Sequence, residues 1–191
     1  MTKPNEKIGL YGGSFDPIHL GHMILARDAR EQLGLDAVVF LPARVSPHKL
    51  DRPPASPEVR SQMVAAAVAN EPGLLVDDCE IHREGPSFAV DTVRLYQEKH
   101  PGAELFYLIG DDNLADLHTW KDIATLQGVA QIVVLTRDGA TKAKGFPSIH
   151  RQIEISSTEI RNRIARGLSI RYMVPQPVCN LITDLGLYRN D

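Results

Sequence analysis

Short apolar runs alternate with helical patterns along this chain, and few architectures accept that order. Residues 8–12, 37–41, 74–82, 104–109 and 131–135 read as strands, apolar and partly β-branched as buried parallel strands are. Helical spacing is expected over about 17–33, with Asp16 as N-cap, Pro17 at the first position and Gly34 as the stop. Further helices are expected over 58–70 and from a Ser87 cap to about His100. A short helix near 111–117 then leads to a helical piece ending near Gln127. A short sixth strand at 152–155 precedes a helix starting at Ser156 and a last one over 175–185. This order predicts an α/β protein: a doubly wound, Rossmann-like parallel sheet of five to six strands with a small C-terminal helical extension. One domain is expected over 1–191, its core about 7–155 and its helical part about 156–191. In such sheets ligands bind beyond the carboxyl ends of the strands, and both 12–13 and 109–110 are candidates for the switch point.

The bulk numbers narrow the partners. Net charge is −3, which argues against a broad nucleic-acid surface, while 43% hydrophobic residues suffice for a core. Cys79 and Cys179 are the only cysteines; they lack metal-ligand spacing and are expected to be buried thiols. No segment resembles a signal peptide or approaches membrane-spanning length, so a cytoplasmic protein with no membrane partner is expected. Homo-oligomerisation is left open.

The richest segment follows the first strand: Gly12-Gly13-Ser14-Phe15-Asp16-Pro17-Ile18-His19-Leu20-Gly21-His22. Paired glycines let the backbone approach a ligand and point N–H groups at it, and the helix start beyond adds donors and partial positive charge. His19 and His22, three apart, share one helix face and can aim at one phosphate. The segment is not the G-x-G-x-x-G fingerprint, and the P-loop lysine is missing. Two histidines with no third ligand nearby make a weak zinc case. The plainer alternative is a core histidine beside a capping turn.

A second segment is Ser156-Ser157-Thr158-Glu159-Ile160-Arg161. Ser156 and Glu159 have capping-box spacing, and Ser157 and Arg161 are i and i+4 on one face. A hydroxyl, free N–H groups and a guanidinium can there meet a phosphate together. Taken alone, it better suits an ordinary capped helix with a solvated arginine, since capping boxes are common.

Together, GGSFDPIHLGH and ISSTEIR resemble the nucleotidyltransferases that carry H-x-G-H and downstream I-S-S-T-x-x-R motifs. The resemblance narrows to the bacterial nicotinate-nucleotide adenylyltransferase family. Ser46-Pro47-His48-Lys49 resembles its P-P-H-K segment and Glu84-Gly85-Pro86-Ser87-Phe88 its E-G-P-S-Y segment. Ile109-Gly110-Asp111-Asp112 resembles I-G-x-D, Trp120-Lys121 its tryptophan region, and Gly186-Leu187-Tyr188 its ending. These blocks run in family order from residue 8 to residue 188.

The resemblance implies ATP and nicotinate mononucleotide as substrates, giving nicotinate adenine dinucleotide and pyrophosphate in NAD biosynthesis. Mg²⁺ is implied as cofactor, bound mainly through ATP phosphates, with no protein ligand assigned. His19, His22 and Arg161 are implied as catalytic. Gly12, Gly13, Ser14, Phe15, Gly21, Gly110, Asp112, Ser156, Ser157 and Thr158 are implied on the ATP side. His48, Lys49, Ser87, Phe88, Ala89, Trp120 and Arg137 are implied on the mononucleotide side. Ser14 stands where threonine is usual, Phe88-Ala89 where Tyr-Thr is, and Asp138 where an R-P-G type segment has proline. Nicotinamide mononucleotide or phosphopantetheine are alternative acceptors, and a non-catalytic nucleotide sensor is the alternative of another class.

Overall fold

The element order is β1 (Lys7–Gly13), α1 (Leu20–Leu33), β2 (Ala37–Pro42), α2 (Pro57–Val68), β3 (Leu74–Val76), α3 (Ala89–Lys99), β4 (Glu104–Gly110), α4 (Ile123–Val129), β5 (Ala130–Thr136), β6 (Ser148–His150), α5 (Ser157–Ala165) and α6 (Gln176–Asp184). Two 3₁₀ turns, Asp111–Asn113 and Leu117–Thr119, lie between β4 and α4. The structure is a computed structural model that describes residues 5–45, 55–137, 143 and 145–189.

All six strands are parallel, in the order β3-β2-β1-β4-β5-β6. The chain winds outward from β1 in one direction, then returns to place β4 on its other side. Alternate residues of each central strand enter opposite layers. Tyr11, Val38, Phe40, Phe106, Leu108, Val133 and Leu135 pack with α1, α2 and α6. Ile8, Leu10, Val39, Leu41, Leu105, Tyr107, Ile109 and Val134 pack with α3 and α4. Burial on both faces explains why these strands read as continuous apolar runs. The carboxyl ends of β1 and β4, Gly12-Gly13 and Gly110, fall at the switch point as expected.

Five expected elements differ in detail. Helix α1 starts at Leu20 with His19 as N-cap, not at Pro17 after Asp16. The Asp16 carboxylate is engaged elsewhere, accepting from Ala55 N–H (3.2 Å) and the Tyr188 hydroxyl (2.6 Å). Strand β3 ends at Val76, because Asp77 Oδ1 accepts the Cys79 N–H and Asp78 O that of Ile81, turning the chain. Phe88, not Ser87, precedes α3, since the Ser87 hydroxyl accepts the Arg44 N–H. The helix expected near 111–117 is the pair of 3₁₀ turns. The sixth strand is Ser148–His150, paired with Val134–Thr136, whereas 152–155 runs past the end of β5.

Gly34, at φ +64°, closes α1 as its sequence position suggests. Cys79 and Cys179 are half-buried rather than fully buried. Among the described residues, no helix is long and apolar enough to cross a membrane.

Candidate active site

His19 and His22 cap α1 reciprocally. His22 N–H donates to His19 Nδ1 (3.4 Å), and His19 N–H donates to His22 Nδ1 (3.2 Å). This is a capping box built from imidazoles instead of a hydroxyl and a carboxylate. A ring nitrogen that accepts carries no proton, so both Nε2 atoms are left as donors. The rings stack at 3.7 Å. Gly21 makes room for this arrangement, because a Cβ there would lie 3.0 Å from the His19 ring. His19 is 1% exposed, and burial, with Arg137 adding to it, pushes its pKa down to about 3. It is thus a neutral hydrogen-bond donor in the free protein and not a standing cation.

The glycine pair has packing reasons. A Cβ on Gly12 would meet the Tyr107 hydroxyl at 2.5 Å, and one on Gly13 the Phe15 ring at 2.9 Å. Phe15 takes a left-handed backbone (φ +48°), which turns its ring inward against Tyr11 and Phe40 and edge-on to His22. Its side chain belongs to the core, so only its backbone faces the turn.

Helix α5 brings the second motif to the first. Ser156 is its N-cap, accepting the Glu159 N–H at 3.1 Å, as its spacing predicts. The Ser157 hydroxyl donates to Pro17 O (2.9 Å) and Arg161 Nη1 to Asp16 O (2.7 Å). Arg161 Nη2 also donates to the Thr158 hydroxyl at 3.3 Å. The two signature segments, 145 residues apart along the chain at Asp16 and Arg161, are therefore in direct contact.

A cavity of about 200 Å³ opens beside Gly12, Gly13 and Ser14. Its other walls are Ser87, Phe88 and Ala89, together with Tyr107, Trp120 and Lys121. That volume suits one ring-sized group rather than a whole dinucleotide. The Trp120 ring stands edge-on to Tyr107 at 6.1 Å. Lys121 Nζ lies 4.6 Å above the Phe88 ring and donates to Asp91 Oδ2 at 3.0 Å. Glu80 forms part of the same wall; it is buried, accepts from the Thr92 hydroxyl at 2.6 Å, and burial raises its pKa. So the expected glycines meet three of the acceptor-side residues and Trp120 in one place.

Other expected residues lie elsewhere. Arg137 follows β5, where its N–H donates to Asp111 Oδ2 (3.3 Å), and its charge acts on His19. It does not line the cavity shared by Ser87 and Trp120. Asp112 Oδ1 accepts from Asn113 Nδ2 at 2.9 Å and occupies the space a Cβ on Gly110 would need. His48, Lys49 and Asp138 lie outside the described residues. Sequence reading assigned no role to Glu80, Tyr107, Lys121 or, above all, Arg60, a cation on the buried face of α2 beside Met63 and Val64. A charge at that position was the available signal.

Fold and motifs together define a nucleotidyltransferase of the cytidylyltransferase-like family, to which the chain belongs: the family model matches residues 10–163. Within that class, the chain is similar to proteins named "Probable nicotinate-nucleotide adenylyltransferase". One from Thermus thermophilus is 43% identical over 187 residues, covering 96% of this chain and 100% of that protein. One from Exiguobacterium sibiricum is 41% identical over 191 residues, covering 95% and 98%. Among solved structures, Plasmodium falciparum nicotinic acid mononucleotide adenylyltransferase complexed with NaAD shares the fold. Its TM-score is 0.77 at 21% identity, covering 96% of this chain and 97% of that one.

Proposed function

We propose that this chain joins ATP and nicotinate mononucleotide to give nicotinate adenine dinucleotide and pyrophosphate, as a cytoplasmic enzyme of NAD biosynthesis. The observation that carries this reading is the shared cavity. The glycine turn leading to His19 and His22 meets there the 87–89 turn and Trp120. A nucleotide phosphate beside the glycines and a ring beside Trp120 then lie within one site.

The acceptor phosphate attacks the α-phosphorus of ATP in line, and pyrophosphate leaves. A phosphate nucleophile is ionised near neutral pH, so the chain supplies position and charge compensation instead of a strong base. His19 and His22 direct Nε2–H donors at the reacting phosphates. Arg161 and the α5 N-terminus, with Ser157 and Thr158, face the departing pyrophosphate. Gly12, Gly13, Ser14, the Phe15 backbone, Gly21, Gly110, Asp112 and Ser156 line or shape the ATP side. Ser87, Phe88, Ala89 and Trp120 receive the pyridine ring, and Lys121 adds a cation suited to a carboxylate over an amide. Arg137, beside His19, serves the phosphates better than the ring.

Among the described residues, no group of three or more His, Cys, Asp or Glu side chains is placed to hold a metal. The two Nδ1 atoms are also already engaged. Mg²⁺ would be carried mainly by ATP oxygens and water, where it would offset phosphate charge.

Pyrophosphate release from ATP tests the reading, with nicotinate mononucleotide, nicotinamide mononucleotide and phosphopantetheine each offered as acceptor. Release should be fastest with the first. Release with none of them would replace this reading by a nucleotide-sensing module.

A further inference from the structure

Arg60 is 2% exposed and sits among fully buried Met63 and Val64 on α2. A guanidinium in that position costs free energy unless every donor is met, and an apolar side chain would fill the space more cheaply. Its hydrogen bonds go to backbone carbonyls from three separate stretches. Nη1 donates to Ser14 O (2.8 Å), Nη2 to Arg44 O (3.1 Å) and Nε to Ala55 O (3.0 Å). Each of these stretches continues into the site. Ser14 lies between the glycine pair and Phe15, whose ring supports His22. Ala55 N–H donates to Asp16, whose carbonyl accepts from Arg161.

Arg44 leads to the other half of the site. Its N–H donates to the Ser87 hydroxyl (3.0 Å), its Nη1 to Ile81 O (3.2 Å), and the Ser87 N–H donates to Val45 O (3.1 Å). Ser87 in turn lines the cavity beside Trp120. One planar fork therefore spans the glycine turn on one side and the acceptor turn on the other.

We infer that Arg60 is a positioning residue, setting the glycine-histidine turn against the 87–89 turn so that the two substrates meet at reacting distance. The inference rests on the proposed function for its kinetic consequence, though not for its structural one. A rigid five-donor fork suits three carbonyls in fixed directions, whereas a lysine is a single point charge on a flexible stem. Removing the fork leaves each half able to bind its own substrate but loosens their mutual placement. Errors of about 1 Å in such placement cost about 10²-fold in rate.

Arg60→Met and Arg60→Lys test this in the full chain. Expected for both is a turnover number about 10²-fold lower, with the separate dissociation constants for ATP and mononucleotide, from calorimetry, within about threefold of wild type. Turnover within threefold of wild type in either folded variant overturns the inference. Hydrogen exchange gives a readout independent of activity. Protection of the Arg44, Ala55 and Ser87 amides should fall about tenfold or more, while β4 amides such as Leu108 keep theirs. A uniform change, or none, overturns the inference. If Arg60→Met does not fold, Arg60→Lys decides by the same readouts. If the wild-type chain releases no pyrophosphate, the proposed function fails, and the exchange pattern alone decides the role of Arg60.

Discussion

The Tyr188 hydroxyl donates to Asp16 Oδ1 at 2.6 Å, tying the last turn of the chain to the segment just before His19. Asp16 is 8% exposed and also accepts the Ala55 N–H, so its carboxylate depends on both donors. Tyr188→Phe should cost about 1.5–3 kcal/mol, the range for hydrogen bonds to charged groups. Urea unfolding of the two proteins checks it; coincident midpoints would show that the contact contributes nothing.

His19 has two separable duties. Its Nδ1 caps α1, and in the proposed reaction its Nε2 donates to phosphate. Asparagine also caps helices well, whereas alanine does not. His19→Asn should keep stability within about 1 kcal/mol and lower turnover about 10²-fold or more, as loss of one charge-stabilising donor does. His19→Ala should lose comparable turnover and additional stability. Near-wild-type turnover in folded His19→Asn would remove His19 from the chemistry.

Burial of neutral His19 also links stability to pH. In the folded chain its pKa is about 3, against 6.5 for a free histidine. Between those values the unfolded chain binds a proton that the folded chain does not. The contribution is therefore complete above pH 6.5 and is lost as pH falls towards 3, at up to about 1.4 kcal/mol per pH unit. Unfolding free energies at pH 7 and pH 5 should differ less in His19→Asn than in wild type. Equal pH slopes would contradict the buried, neutral assignment.

Gly12 is fixed by a neighbour rather than by its backbone angles. Gly12→Ala puts a methyl group 2.5 Å from the Tyr107 hydroxyl, and the buried Tyr107 ring must shift to relieve the contact. Overpacking of this kind costs about 1–3 kcal/mol. Thermal unfolding reads the loss, and a Tyr107→Phe background should restore part of it because the clashing oxygen is gone.

In the proposed function Trp120 serves the acceptor side and not the ATP side. Trp120→Ala should raise the acceptor KM about tenfold, in line with about 1–3 kcal/mol for aromatic stacking, while the ATP KM stays within twofold. An equal rise in both would place Trp120 in general packing against Tyr107 instead.

Much of the fold was legible because it rests on short-range signals. The apolar runs of β1, β2, β4 and β5 were readable because both faces of each strand are buried. Gly34 and Ser156 marked helix ends through local backbone chemistry. Errors arose where a side chain was claimed from far away. Asp16 and Ser87 both look like helix caps, yet Tyr188 takes one and Arg44 the other. The site was legible as two motifs, but not as the Gly12-to-Trp120 cavity, because the acceptor half arrives from 80–89 and 107–121 through separate crossovers.

The sequence by itself therefore determined the alternating layers, the glycine turn at the switch point and the two signature segments, all consequences of periodicity and local backbone preference. Only the tertiary structure decided that His19 is a neutral cap, that Arg161 reaches the Asp16 carbonyl, and that Arg60 spans three loops from inside the core. Those outcomes depend on desolvation and on donors meeting acceptors many residues away, and neither is written in any short stretch of chain.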